Sequence, residues 1–384
     1  MLVYLDNNAT TRVDLSVVEA MLPYFTDQFG NASSAHAFGS TVAEGVRAAR
    51  RQLQALLGAA SDSEIVFTSG GTEADNTALL SALETAPEGR SEIITSAVEH
   101  PAILSVLEHL EATRAIVVHR IGVDRRGRLD RAAYAAALSK RTALVSIMWA
   151  NNETGTLFPV AELAEMAHVA GALFHTDAVQ AVGKVAIALK TTQIDMLSLS
   201  GHKLHGPKGV GALYVRKGTP FAPLVRGGPQ ERRRRGGTEN VPGIIGLGAA
   251  AALALAGMED MAGRLRALRD RLEARLLALA PDALVLGDGT WRLPNTCDIA
   301  FSHLEGEAIL HNLDKAGIAA SLGSACSSGS MEPSHVLKAM QVPPSALRGA
   351  IRFSLSRETT SADIDRVLAV MPDILAKLRA TVPA

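Results

Sequence analysis

Cysteine is scarce: 384 residues hold only Cys297 and Cys326. Two thiols cannot build a disulfide framework, and so few fit a reducing compartment. Charge of either sign is nearly absent in the balance, since 38 Lys and Arg stand against 39 Asp and Glu for a formal net charge of −1. That argues against a general nucleic-acid binder. The chain opens Met1-Leu2-Val3-Tyr4-Leu5-Asp6-Asn7-Asn8, with no basic segment followed by an apolar run, so no secretory signal is expected. The most apolar stretch, Ile244–Met258, is rich in Ala and Gly and too short to span a bilayer comfortably, so a buried helix is expected there. No internal repeat and no low-complexity tail is found. The expectation is a soluble, cytoplasmic protein. What the chain does have is apolar residue: 47% is hydrophobic and 20% charged, enough for a sizeable core. Its length points to two domains, or to one large α/β domain with an appendage.

Apolar strand-like runs alternate with amphipathic segments from about Ser40 to Leu255. Strands are predicted at Glu64–Thr68, Glu92–Thr95, Ala115–Val118, Ala143–Trp149, Ala172–His175, Asp195–Leu199 and Gly211–Val215. Helices are predicted at Val42–Leu57, Glu73–Leu83, Ala102–Leu110, Ala132–Leu138 and Val160–Ala170. This alternation predicts a largely parallel sheet with helices on both faces. A long helical stretch, Gly243–Leu279, then carries the chain toward a smaller α/β unit with strands at Asn295–Phe301 and Ile351–Leu355 and helices at Glu305–Ala316, Ser334–Met340 and Ser361–Leu378. We divide the chain into a large domain of residues 15–258 and a small domain of residues 1–14 and 259–384.

Four strand ends carry polar groups in sequence order. Glu64-Ile65-Val66-Phe67-Thr68-Ser69-Gly70-Gly71-Thr72-Glu73 reads as strand, glycine turn and helix start, a place where free N–H groups and a helix dipole can hold a phosphate. The plainer reading is an ordinary turn capped by Thr72. His100 follows another strand and precedes Pro101, so it can lie on an aromatic ring, move protons, or be merely structural. Asp177 ends the run Phe174-His175-Thr176, where open α/β sheets bind ligands. A carboxylate there can keep a pyridinium nitrogen protonated, although a lone Asp after a strand is most often a helix cap. Lys203 lies in Ser200-Gly201-His202-Lys203-Leu204-His205-Gly206, one helix–strand crossover after Asp177. Its amine can form a Schiff base with a carbonyl cofactor while Ser200 and His202 hold that cofactor's phosphate. Asn151 and Asn152, after the strand that ends at Trp149, offer amides for a phenolic oxygen or a carboxylate. Arg352 sits in an apolar strand, where a buried guanidinium needs a partner and a carboxylate is the natural one. Cys326 lies in Ser324-Ala325-Cys326-Ser327-Ser328-Gly329, a small, polar stretch expected to be an exposed mobile loop, whereas Cys297 falls in a strand pattern.

At this point the chain resembles a known family. Tyr4-Leu5-Asp6-Asn7-Asn8-Ala9-Thr10-Thr11, Glu99-His100-Pro101, Asn151-Asn152-Glu153-Thr154-Gly155, Asp177-Ala178-Val179-Gln180, Ser200-Gly201-His202-Lys203 and Ser324-Ala325-Cys326 look like the pyridoxal-phosphate cysteine desulfurases of the class V aminotransferase family. Trp149–Gly155, Gly237-Thr238-Glu239-Asn240 and Glu332-Pro333-Ser334-His335-Val336 are most similar to its NifS, nitrogenase-associated branch. The resemblance runs from Tyr4 to about Leu378 and implies the pyridoxal-phosphate fold type I, with an aspartate aminotransferase-like large domain. It implies Lys203 as the Schiff-base lysine, Asp177 as the pyridinium partner, Gln180 facing the ring hydroxyl, and His100 stacked on the ring. Gly71, Thr72, Ser200 and His202 match phosphate contacts. Thr238 matches a phosphate contact supplied by the other subunit, which implies a homodimer. Asn152 and Arg352 match groups that bind the substrate carboxylate, with Asn152 also near the cofactor. Small departures are Gly71, where the family often has Ala, Gly201, where the nitrogenase branch often has Ala, and Ser327, where Thr is common. In the basic run Arg232–Arg235 only Arg235 matches a recurring arginine, and the others are expected to form a solvated or interface patch.

The activity so implied is sulfur removal from L-cysteine. The substrate displaces Lys203 from the cofactor aldehyde, the freed amine removes the α-proton, and Cys326 attacks the substrate sulfur. The products are L-alanine and a Cys326 persulfide that supplies iron–sulfur cluster assembly, with a scaffold protein as acceptor. Cys326 is then also a possible cluster ligand shared transiently with that scaffold. Service to nitrogenase is favoured over housekeeping cluster assembly. Selenocysteine lyase and class V aminotransferase are the rival activities, but an aminotransferase has no use for a loop cysteine. A metal enzyme built on His202 and His205 lacks Cys or carboxylate companions. A nucleotide-binding module at Gly206–Gly211 lacks the Lys-Ser/Thr ending of a phosphate loop.

Overall fold

Short apolar runs between residues 65 and 215 assemble into one sheet. The computed structural model describes residues 2–322 and 333–380; Cys326 lies outside the described residues. After a two-residue strand β1 (Val3–Tyr4), the strands β2 (Ile65–Thr68), β3 (Glu92–Ser96), β4 (Val117–Ile121), β5 (Thr142–Ser146), β6 (Leu173–Asp177), β7 (Met196–Ser200) and β8 (Gly211–Val215) lie in the order β2-β8-β7-β6-β5-β3-β4. Every ladder is parallel except the two that β8 makes. The inner strands are buried along nearly their whole length because both faces are covered. Successive residues still divide between the faces. Ile65, Phe67, Ile94, Val145 and Leu197 join one core with the helices Ala37–Leu57 and Val160–Val169. Val66, Ile93, Leu144 and Met196 join the other, under Gly71–Glu84 and Pro101–Thr113.

The helix Val241–Leu279 joins two cores. Its first turns bury Ile244, Leu247, Ala250 and Ala251 in the large core, while Leu265, Leu272 and Leu276 enter a second one. The helix is long and apolar enough by composition to cross a membrane, yet half of its most apolar window is buried against the rest of the protein. The second core gathers Val3 and Leu5 with a sheet of β9 (Leu284–Val285), β10 (Thr296–Ala300) and β12 (Ala350–Ser354). The strand β11 (Ile318–Ala319) pairs with β1 in parallel. The chain after β1 leaves this unit at the bridge between Asp6 and Ser354 and crosses to the large sheet, where Thr11 N and Oγ1 both donate to the His202 carbonyl at 2.9 Å. That crossing places Asn8 and Ala9 over the ends of β6 and β7.

Candidate active site

The C-terminal ends of β3, β5, β6 and β7 open onto a cavity of about 440 Å³. Gly71, Thr72, His100, Asn152, Asp177, Gln180, Ser200, His202, Lys203 and Arg352 all line it, joined by Asn8, Ala9, Asp75, Glu153 and His335. Sequence order along parallel strands brings the four polar strand ends together, as open α/β sheets do. Thr238 is exposed and lies at a different cavity, with Arg235 and Gly237. Cys326 falls outside the described residues, but both flanks of its segment reach the cavity wall. Upstream, Ser321 N donates to the Arg352 carbonyl at 3.2 Å; downstream, Ser334 Oγ donates to Glu153 Oε2 at 2.6 Å and His335 Nε2 meets the Glu99 carbonyl at 3.0 Å.

At one end of the cavity the helix Gly71–Glu84 begins at Gly70 with no side-chain cap. Its first-turn N–H groups and dipole are therefore available to an anion. A Cβ on Gly71 would lie 2.8 Å from Val179 Cγ2, so the glycine lets Val179 and the helix start close together. Lys203, also on the cavity wall, donates from Nζ to the Asn8 and Ala9 carbonyls at 2.5 and 2.7 Å. The connection from β6 to β7, expected as a helix, is made of turns and a single 3-10 turn at Leu189–Thr191; Gly183, at φ 75°, takes the left-handed bend that a helix would not allow.

Asp177 is buried, and its Oδ1 accepts from Val179 N at 2.9 Å. Burial raises its pKa against the opposing pull of His100 and Lys203. A cation placed beside it would restore its charge. His100 caps the helix Pro101–Thr113, with Nδ1 accepting from Ala102 N at 3.1 Å, which leaves the ring proton on Nε2. Burial lowers its pKa, so the ring is neutral, and the capping and pocket-lining roles coexist. His202 is pushed down to about 4, first by burial and then by Lys203, and its Nδ1 meets Thr10 Oγ1 at 3.1 Å. Arg352 is buried, with Nη2 on Asp6 Oδ1 at 2.7 Å and Nη1 on the Asn152 carbonyl at 3.0 Å. Among the described residues no group of three His, Cys, Asp or Glu is arranged to hold a metal ion.

Several lining groups carry little sequence signal. The Asn8 and Ala9 carbonyls are backbone atoms, and no residue type announces them. Asp75 is buried one turn beyond Thr72, with its Oδ1 3.6 Å from His175 Nε2. His175 lies between Ser146 Oγ and Ser198 Oγ at 2.9 Å each, and burial drops it to about 3. A helix-interior Asp on the face of Thr72 was the available clue to this layer.

The donor set fits pyridoxal phosphate. An uncapped helix start suits the phosphate, a buried carboxylate suits a cationic ring nitrogen, and a lysine amine on the same cavity wall suits a carbonyl group. A model of the class V aminotransferase family matches residues 3–367. The chain is 68% identical to a cysteine desulfurase of Gluconacetobacter diazotrophicus over 381 residues, covering 99% of this chain and 95% of that protein. It is 60% identical to cysteine desulfurase NifS of Azotobacter vinelandii over 381 residues, covering 99% and 94%. A solved NifS-like protein superposes with a TM-score of 0.92 at 38% identity, covering 98% of this chain and all of that one.

Proposed function

This chain belongs to the class V aminotransferase family, among its pyridoxal-phosphate-dependent cysteine desulfurases of fold type I, and from that premise we propose that it supplies sulfur for iron–sulfur clusters destined for nitrogenase. Its substrate is L-cysteine and its products are L-alanine and transferable sulfur. The observation that carries the reading is the convergence of Lys203, Asp177, Gln180, His100 and Arg352 on one cavity. Pyridoxal phosphate, when bound, supplies a carbonyl for the substrate amine and an electron sink for bonds at its Cα.

The residues divide the remaining work. The start of the helix Gly71–Glu84, Thr72, Ser200 and His202 would hold the phosphate. Asp177 would keep a ring nitrogen protonated, and His100 would pack on the ring. Arg352 receives the substrate carboxylate, with Asn152 beside it. Lys203 takes the α-proton, and neutral His100 assists proton transfer. Cys326 attacks the substrate sulfur as the thiolate; the carbon–sulfur bond breaks with its electron pair on the three-carbon remainder, the sulfur stays on Cys326 as a persulfide, and the remainder takes one proton at Cβ and regains one at Cα before leaving as alanine.

The finer parts of the proposal are a cytoplasmic homodimer, a scaffold protein as acceptor, and Cys326 as a transient ligand of the growing cluster. Support for the dimer comes from Thr238, which lies away from the main cavity, and from Leu15, Leu22, Phe25, Phe29 and Phe38, which leave apolar surface exposed on residues 15–38. The nitrogenase assignment rests on the similarity to NifS. The test adds L-cysteine to the purified holoprotein and assays alanine and protein-bound persulfide. Equal alanine and persulfide without a keto acid support the reading; a keto-acid requirement sinks it. Loss of nitrogen-dependent growth on deleting the gene, with growth on ammonium intact, tests the nitrogenase service.

A further inference from the structure

Lys184 is a buried lysine that the desulfurase chemistry leaves unused. It does not line the main cavity. Instead it borders a second cavity of about 120 Å³ on the far side of Lys203, together with Arg357 and His205. Its Nζ donates to Gln180 Oε1 at 2.8 Å. Gln180 does line the main cavity, and its Nε2 donates to the Asn8 carbonyl at 2.9 Å.

Both partners of this amide have a single role. A lysine amine held this way donates, and a backbone carbonyl only accepts. The amide therefore has one orientation: Oε1 toward Lys184 and –NH2 toward Asn8. The reversed amide would set oxygen against oxygen and –NH2 against the amine. The –NH2 group has two hydrogens, and Asn8 takes one.

We propose that Lys184 is a positioning residue that fixes the Gln180 amide so that the cavity offers a hydrogen-bond donor, not an acceptor, to the oxygen substituent of the cofactor ring. The proposal rests on the reading that Gln180 faces that ring. Burial, Lys203 and Arg352 together bring the Lys184 amine down to about 7. Charged, it can only donate and so enforces this orientation; neutral, it can also accept, and the Asn8 carbonyl alone then opposes the reversed amide. Without Lys184 the Gln180 oxygen is buried with no donor, and the amide loses one of the two contacts that orient it.

The test compares Lys184→Met, Gln180→Ala and the double variant as holoenzymes, reading the visible absorption maximum of the bound cofactor and the Kd for pyridoxal phosphate. Gln180→Ala shifts the absorption. Lys184→Met shifts it in the same sense and weakens binding about tenfold, the loss of one hydrogen bond from the misoriented amide to the ring oxygen. In the Gln180→Ala background Lys184→Met adds nothing. Wild-type absorption and affinity in Lys184→Met overturn the proposal. So does an undiminished effect in the double variant, which assigns Lys184 a direct charge effect instead. An unchanged Gln180→Ala spectrum removes the reading of Gln180 itself, and the proposal with it. Should Lys184→Met not fold, neutron diffraction from the deuterated wild-type holoenzyme decides: Oε1 on Lys184 and an N–D aimed at the ring oxygen are expected, and the reverse orientation refutes it.

Discussion

Arg352 spans from the small sheet to the crossing segment, its Nη2 2.7 Å from Asp6 Oδ1 and its Nη1 3.0 Å from the Asn152 carbonyl. Two anchors hold the guanidinium plane in place at the cavity wall, which is what bidentate capture of a carboxylate requires. A lysine has one nitrogen and cannot keep both anchors and the substrate. Arg352→Lys is therefore expected to raise KM for L-cysteine by about tenfold or more, with the bound-cofactor spectrum unchanged. An unaltered KM would remove Arg352 from substrate binding.

Lys203 touches the Asn8 and Ala9 carbonyls and lines the same cavity as the uncapped helix start. Lys203→Ala is expected to abolish alanine production and to change the visible absorption of bound pyridoxal phosphate, while folding is preserved because no packed apolar group is lost. Normal desulfuration by that variant would dismiss the assignment.

How much of this was legible depends on what signals each group. The strand Gly211–Val215 was read with its observed bounds because Gly and apolar residues frame it cleanly. The strand expected at Ala115–Val118 runs instead from Val117 to Ile121. It is the sheet edge, so His119 and Arg120 are tolerated in the ladder, and an apolar count stops too soon. The polar ends of β6 and β7 stood out as residue types. The Asn8 carbonyl and the layer of Asp75, His175 and Ser198 did not, because long-range packing alone makes them neighbours. The run Arg232–Arg235 divides in the same way: Arg235 pairs with Glu73 at 2.9 Å and Arg234 bonds the Ser63 carbonyl at 2.5 Å, while Arg232 and Arg233 face solvent.

That run hangs from a turn in which Glu231, Arg232 and Arg233 all have positive φ, at 47°, 58° and 65°. Each such residue is strained by ~1–2 kcal/mol. The turn is held by Glu231, whose carboxylate takes Arg50 at 2.6 and 2.8 Å and Phe67 N at 2.9 Å, with both side chains buried. Glu231→Ala leaves Arg50 as an unpaired buried charge and is expected to cost ~3–5 kcal/mol in urea unfolding. Adding Arg50→Met should recover a large part of that. A loss below ~1 kcal/mol would show that the pair is not what secures the turn.

The two thiols should separate cleanly. Cys297 is fully buried on β10, and burial pushes its thiol pKa up, so it is inert to alkylation in the folded state. Cys326→Ala is expected to bind cofactor normally, form no persulfide, and leave no thiol that iodoacetamide labels without denaturant. Cys297→Ala should keep desulfuration and lose only stability. Persulfide in Cys326→Ala would place the nucleophile elsewhere.

Glu99, beside His100, supplies a pH signature. Its Oε1 accepts from Ser96 Oγ at 2.5 Å and Met148 N at 3.0 Å, while Oε2 is buried with no hydrogen-bond partner. Burial, the largest cause, raises its pKa from 4.5 to about 8. While a raised carboxylate stays protonated in the native state and ionises in the unfolded one, each added pH unit pulls the equilibrium toward the unfolded state. Its contribution is thus fully present below the unfolded value and is lost as pH rises through the folded value. Between pH 4.5 and about 8 the wild type should lose stability relative to Glu99→Gln, which cannot ionise. The expected difference is on the order of 3–5 kcal/mol over that span. Urea midpoints of both proteins at the two ends of the window measure it. Parallel pH profiles would mean that Glu99 is already ionised in the fold, with a donor supplied to Oε2.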